Sequence, residues 1–384
     1  MTSAVPRWSI RELIWAVVAA LCTPASGAVP VADPGRSVGS RIGSDHTCDP
    51  TEELQFICGA EHPEDLAHIP GTPWLIASGF SDGAGLKLID TRTDAMQFWY
   101  TGGSDQRAPD KTEFPLCPSA PEAALFNAQG INLRKMADGR YRLYVVNHGG
   151  RESVEVFTVE VLRNGEPVLA WKGCVLMLPG MPANSVASFS DGTILASVLT
   201  RPGTTIADFV EGRKTGAIYE WKPGSRSFAL IPGTELPGNN GLETSPDDRE
   251  FYVVAFGWHA VLAFSRAHPD REFRKAIAAG FMPDNIHWDN GRLIAAGMKL
   301  DEPACGGVRK VIDGKADGML CHRGYVVAEL EPHTMSFKVV AYAEPNPDFN
   351  GVSAAVVVDN ELWLGSYQAN RVAHRRLPGL PRSP

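Results

Sequence analysis

The chain has no surplus of basic residues. Its 36 lysines and arginines stand against 44 aspartates and glutamates, a formal charge of −8, and an acidic balance argues against a nucleic-acid partner. Beyond residue 28 it has no apolar run long enough to cross a bilayer as a helix, which excludes a helical membrane span there. A long amphipathic helix is also missing; "PEAALFNA" offers a helical turn or two at most. The seven cysteines, Cys22, Cys48, Cys58, Cys117, Cys174, Cys305 and Cys321, have no spacing that suggests a zinc site.

The first 28 residues read as a signal peptide. Arg7 and Arg11 precede the apolar stretch Leu13 to Cys22, "LIWAVVAALC", and the small residues "ASGA" follow. The run is short for a membrane anchor, and Leu21 stands where a lipid-modified Cys22 would want a small neighbour. The expectation is a secreted or periplasmic protein. Removal of this segment leaves six cysteines, an even number suited to an oxidising compartment. Cys48 with Cys58 and Cys305 with Cys321 are the local pairings to expect, with Cys117 and Cys174 left for each other, although spacing does not fix connectivity. Residues 29–47, rich in Gly, Pro, Ser and Asp, read as a flexible leader to one domain over 48–384.

From there the pattern is β almost throughout. Short apolar or alternating runs such as "WLIASG", "YRLYVVNH", "EFYVVAF" and "ELWLGSY" are punctuated by the turns "ADGR", "SDGT", "SPDDRE", "DNGR" and "VDNE". The runs group into units starting near Glu64, Asn127, Asn184, Asn240, Asp284 and Gly351, at intervals of roughly 45 to 65 residues, about one four-stranded blade each. The fold expected is all-β, a six-bladed β-propeller. A pair of β-sandwiches explains the strand count but not the polar residues recurring at the start of each unit.

Those recurring residues are Glu64-Asp65, Asn127 to Ile131, Asn184-Ser185, Asn240-Gly241 and Asp284-Asn285. Each lies just before an apolar strand or its turn. In a propeller the innermost strands line a central tunnel, so such residues meet on the axis. All the side chains are oxygen donors, with no histidine pair or cysteine cluster among them. Asn amides with two carboxylates suit a hard cation such as calcium, and Glu64 with Asp284 balances a divalent charge. Any one of these residues also fits an ordinary turn. His148, in "VVNHG", follows a strand, and like His259 and His287 it also fits a packed side chain without chemistry. His287 alternates with Ile286 and Trp288.

"PEDLAHIPGTPWLIASG", "FNAQGINL", "YVVNHGGRESVEVFTVE", "LPGMPANSVA", "PGNNGLETSPDDREFYVV" and "FMPDNIHWDNGRLIAAG", in this order, resemble the paraoxonase and arylesterase family within the wider gluconolactonase, SMP-30 and strictosidine synthase group. The resemblance covers roughly residues 60 to 380. It implies a six-bladed propeller with calcium in the tunnel, held by Glu64, Asn184, Asn240, Asp284 and Asn285. It further implies a second, structural calcium on Asp65, the Ile131 carbonyl and the position of Ser185, where the family has an acid. The chain departs from the family at Gln129, where a histidine would pair with the one at His148. Gln129 cannot take a proton near neutral pH. The base is then His148 through water, or Asp284; Gln129 is left as a substrate-binding candidate.

The function expected is an exported calcium-dependent hydrolase of lactones or aryl esters, with a small-molecule ester or lactone as partner. His259, with Phe256, Trp258 and Tyr367, is placed at an apolar substrate rim. The alternatives are a non-catalytic propeller pinned by calcium and, further off, a strictosidine-synthase-like enzyme. Two long interruptions, Leu300 to Gly324 with Cys305 and Cys321, and residues 201–215, are expected to be a stapled loop over one face and a shaper of access.

Overall fold

The computed structural model describes residues 48–377 apart from Arg271. The signal peptide and leader expected over residues 1–47 lie outside the described residues. The described chain forms six four-stranded antiparallel sheets and one small two-stranded hairpin, the six-bladed β-propeller that the sequence implied. The innermost strands are Leu66–His68, Ala128–Lys135, Val186–Ser188, Asn239–Thr244, Phe281–Asp289 and Val352–Val358. Each begins within a few residues of a unit start read from the sequence.

The ring closes without a C-terminal cysteine. The first strand, Gln55–Cys58, pairs antiparallel with the last, Arg371–Arg376, with Gln55 opposite His374 and Cys58 opposite Arg371. It thereby becomes the outermost strand of blade six. A disulfide from Cys48 to Cys58 fastens this strand; Cys117–Cys174 and Cys305–Cys321 are the other two, the pairings expected.

Apolar packing lies between blades rather than on the axis. Leu66, Leu75 and Ala77 of blade one pack with Val356, Trp363 and Val372 of blade six. Tyr252, Val254 and Val261 of blade four meet Ile286, Leu293 and Ala295 of blade five. Each large side chain so covered contributes about 1.5–3 kcal/mol. The turns behave as their residues require: Asp248, Asn290 and Asp359 take left-handed backbone, which short polar side chains tolerate.

Two interruptions leave the blades on one face. Residues 201–215 carry a short helix, Ile206–Val210, whose Thr205 forms a capping box with Asp208. The segment between Arg292–Lys299 and Tyr325–Glu331 holds the Cys305–Cys321 disulfide and the hairpin of Val311–Ile312 with Lys315–Ala316. The helix packs against Lys315–Ala316 and against the turn Phe256–Trp258. Among the described residues no helix is long and apolar enough to cross a membrane.

Candidate functional site

Glu64 and Asn184 sit just ahead of the innermost strands Leu66–His68 and Val186–Ser188, and the other polar residues lie where the innermost strands are irregular. Pairing register shifts between Ala128 and Ile131, Asn239 and Leu242, Pro283 and Ile286, and Val352 and Ala354. A bulge breaks the strict alternation of a strand and re-aims its side chains. The bulged residues are therefore Gln129-Gly130, Asn240-Gly241, Asp284-Asn285 and Ser353. Two glycines let neighbouring blades touch there. A Cβ on Gly130 would lie 2.6 Å from the Asn184 carbonyl oxygen, and one on Gly241 would lie 2.4 Å from that of Asp284.

Glu64, Asn184, Asn240, Asp284 and Asn285 are all buried. Asn285 Nδ2 donates to Glu64 Oε1 at 3.0 Å, and the nearby Asn240 amide favours the charged form of the Asp284 carboxylate. The Ser353 hydroxyl, the contribution of blade six, donates to the Glu64 carbonyl at 2.6 Å. Glu64 Oε2, Asn184 Oδ1, Asn240 Oδ1 and Asn285 Oδ1 are buried with no hydrogen-bond partner. Four orphaned oxygens from four blades are costly to a protein that leaves them so. Burial raises the Glu64 pKa well above the carboxylate range, with the charges of Asp65 and Asp284 adding to it. Asp284 is pushed up to about 7, chiefly by burial. Among the described residues no group of three or more His, Cys, Asp and Glu side chains is placed to hold a metal. The donors gathered here are amides with two carboxylates, a set that fits a hard cation and not a soft one.

Deeper in the tunnel, the Asp65 carboxylate is fully engaged. It accepts from the backbone N–H of Leu66 at 2.9 Å and of Ile131 at 2.8 Å, and bonds His287 Nε2 at 2.8 Å. His287 Nδ1 lies 3.5 Å from Glu243. Burial opposes protonation of His287, but Asp65 and Glu243 outweigh it and hold its pKa at about 10. Ser185 Oγ is buried and unpartnered.

Glu64, Asn184, Asn240 and Asp284 form part of the lining of a cavity of about 440 Å³. Its wall carries His148 and Gln129, in contact with each other: His148 Nε2 lies 2.7 Å from Gln129 Oε1. His148 Nδ1 lies 2.8 Å from Glu152 Oε2, and Phe80 packs on the imidazole, ring centroids 5.5 Å apart. Leu199, Ile206, Phe209, Phe256 and Met319 make the rest of the wall largely apolar. The rim expected from sequence is met in part. Phe256 and Tyr367 line the cavity, whereas Trp258 and His259 do not. His259 caps the turn Phe256–Trp258 in left-handed backbone.

Sequence reasoning missed Glu152, Phe80, Ile206, Phe209 and Arg309. Glu152 follows His148 by four residues in a loop, where spacing carries no meaning. Phe80 and Arg309 come from connections whose contacts have no period to read, and Ile206 and Phe209 from a helix of five residues, too short for its spacing to stand out.

The chain matches no protein-family model and no curated protein. Solved structures similar to it include a luciferin-regenerating enzyme, at 11% identity over 85% of this chain and 94% of that one, TM-score 0.48. Regucalcin, a calcium-binding protein from Agrobacterium tumefaciens str. C58, is 11% identical over 85% and 94%, TM-score 0.45. The aldose sugar dehydrogenase of Streptomyces coelicolor, with bound PQQ, is 12% identical over 84% and 97%, TM-score 0.45. Likenesses this distant assign neither a family nor an activity.

Proposed function

We propose that this chain is a calcium-dependent hydrolase of lactones or aryl esters. Glu64, Asn184, Asn240, Asp284 and Asn285 are the calcium ligands and His148 is the proton acceptor for the attacking water. The reading is carried by the four buried, unpartnered oxygens at the axis, three of whose residues also line an apolar cavity. One divalent ion satisfies them together and offsets the charges of Glu64 and Asp284. Calcium, when bound, supplies a Lewis acid for an ester carbonyl and the charge that develops on it.

The rest is the work of side chains. Glu152 accepts from His148 Nδ1–H at 2.8 Å and steadies the ring, and Nε2 carries the lone pair only once the Gln129 amide turns its NH2, in place of Oε1, toward that nitrogen. Gln129 meets that nitrogen and orients the ring. An amide cannot pass a proton on, so His148 works with Glu152 alone, whose charge stabilises the imidazolium once it forms. The apolar walls hold the hydrocarbon part of the substrate. One ion is proposed rather than two, because the Asp65 carboxylate is already taken up by three hydrogen bonds. Export is proposed on the three disulfides, which suit an oxidising compartment.

The test is hydrolysis of γ-butyrolactone and phenyl acetate with calcium and with a chelator. Activity should require calcium, and His148→Ala should lower kcat by about 10²–10⁴-fold while calcium uptake is unchanged. Activity that survives in His148→Ala but is lost in a calcium-loaded Asp284→Asn variant would move the base to Asp284. Folded, calcium-loaded protein that hydrolyses no ester would make the chain a binding propeller.

A further inference from the structure

Arg309 enters the cavity from the stapled insertion between blade strands Arg292–Lys299 and Tyr325–Glu331. It is only 8% exposed, and its Nε and Nη2 are buried without a hydrogen-bond partner. Among the described residues no carboxylate lies within ion-pair distance of it. Its charge is felt by Tyr367, Asp284, His259 and Arg323. Arg323 is occupied elsewhere, donating to the carbonyls of Leu300 and Gly307 at 2.9 Å each, which holds the insertion in place.

The charges at the cavity floor do not neutralise Arg309. Glu64 and Asp284 are matched by a divalent ion, so the guanidinium is left as a net positive charge beside Phe256, Met319 and Tyr367. An unpaired buried cation is expensive. The planar fork of a guanidinium is shaped for two-point bonding to a carboxylate. We propose that Arg309 is an anion-recognition residue, and that the ligand of this cavity is a small molecule bearing a carboxylate a short distance from its ester or lactone carbonyl. The ester rests on the hydrolase reading, and the carboxylate only on its calcium site, since the ion is what matches Glu64 and Asp284 and leaves Arg309 without a counter-charge.

Two measurements separate these. The first is equilibrium binding of glutarate to the calcium-loaded protein by isothermal titration calorimetry, which needs no turnover. Wild type should bind it, Arg309→Gln should bind about 30-fold more weakly, and Arg309→Lys should fall between, since a charged hydrogen bond is lost in one and only its geometry in the other. The second compares γ-butyrolactone with 5-oxotetrahydrofuran-2-carboxylate, which differ by one carboxylate. Arg309→Gln should raise KM for the acid alone.

Wild type that binds no glutarate, or Arg309→Gln that binds it as wild type does, overturns the proposal even if neutral lactone is hydrolysed. Loss of glutarate affinity in Arg309→Gln with no lactone hydrolysed by any form leaves Arg309 as assigned and removes the hydrolase reading. An Arg309→Gln chain that does not fold passes the decision to Arg309→Lys: unchanged glutarate affinity and unchanged KM for the acid overturn the proposal, and weakening of both supports it.

Discussion

Lys87 is fully covered, its Nζ has no hydrogen-bond partner, and the Phe98 ring lies 5.5 Å from the charge. Burial lowers its pKa to about 8, with Glu61 opposing the fall. In the unfolded chain the lysine keeps its proton to near 10.5. The charged lysine therefore costs stability at and below pH 8, and that cost shrinks as pH rises from 8 to 10.5. Lys87→Met should be more stable than wild type at pH 7 by about 1–3 kcal/mol, with the gap closing by pH 10. A Met variant less stable at pH 7 in thermal melts would contradict this. At the cavity, Glu152→Gln should lower kcat less than His148→Ala does, because the base survives and only its partner's charge is lost. Equal losses in kcat would show that Glu152 does more than steady the imidazolium.

The bulged strands are the elements on which the site depends. Gly241→Ala would set a Cβ 2.4 Å from the Asp284 carbonyl oxygen, which pushes Asp284 and Asn285 off the axis. It should cost about 1–3 kcal/mol and abolish calcium uptake, whereas Gly139→Ala, at a turn with open space around it, should leave uptake intact. Calorimetric titration of both variants decides this. That Glu64, Asn184, Asn240, Asp284 and Asn285 come together was legible in sequence because polar oxygens recur at the start of each apolar unit. The bulges that aim Asn240, Asp284 and Asn285 were not, since one extra residue in a strand leaves no mark in composition. The insertion that carries Arg309 was visible as a cysteine-bearing interruption, yet nothing marked Arg309 among its neighbours. Cys305→Ser with Cys321→Ser should release that insertion and weaken glutarate binding with little change in calcium affinity. Glutarate affinity equal to wild type would show that the strap is not needed to hold Arg309.

For the whole molecule, the six-fold repeat was legible because each blade announces itself by turn residues and a polar start. Ring closure was not: no cysteine marked the C-terminal strand, and the pairing of Gln55–Cys58 with Arg371–Arg376 joins segments at opposite ends of the chain. The ion proposed on the axis would couple blades one, three, four and five, so it should stabilise the ring as a unit. At calcium a hundredfold above Kd the gain should be about 2.7 kcal/mol. The central claim is that oxygens from these blades hold one divalent ion. Its most direct test is a calorimetric calcium titration of wild type beside a Glu64→Gln, Asp284→Asn double variant. One ion bound per wild-type chain and none by the variant is the result predicted. A folded wild type that takes up no calcium, or a double variant that binds it as tightly, would contradict the account.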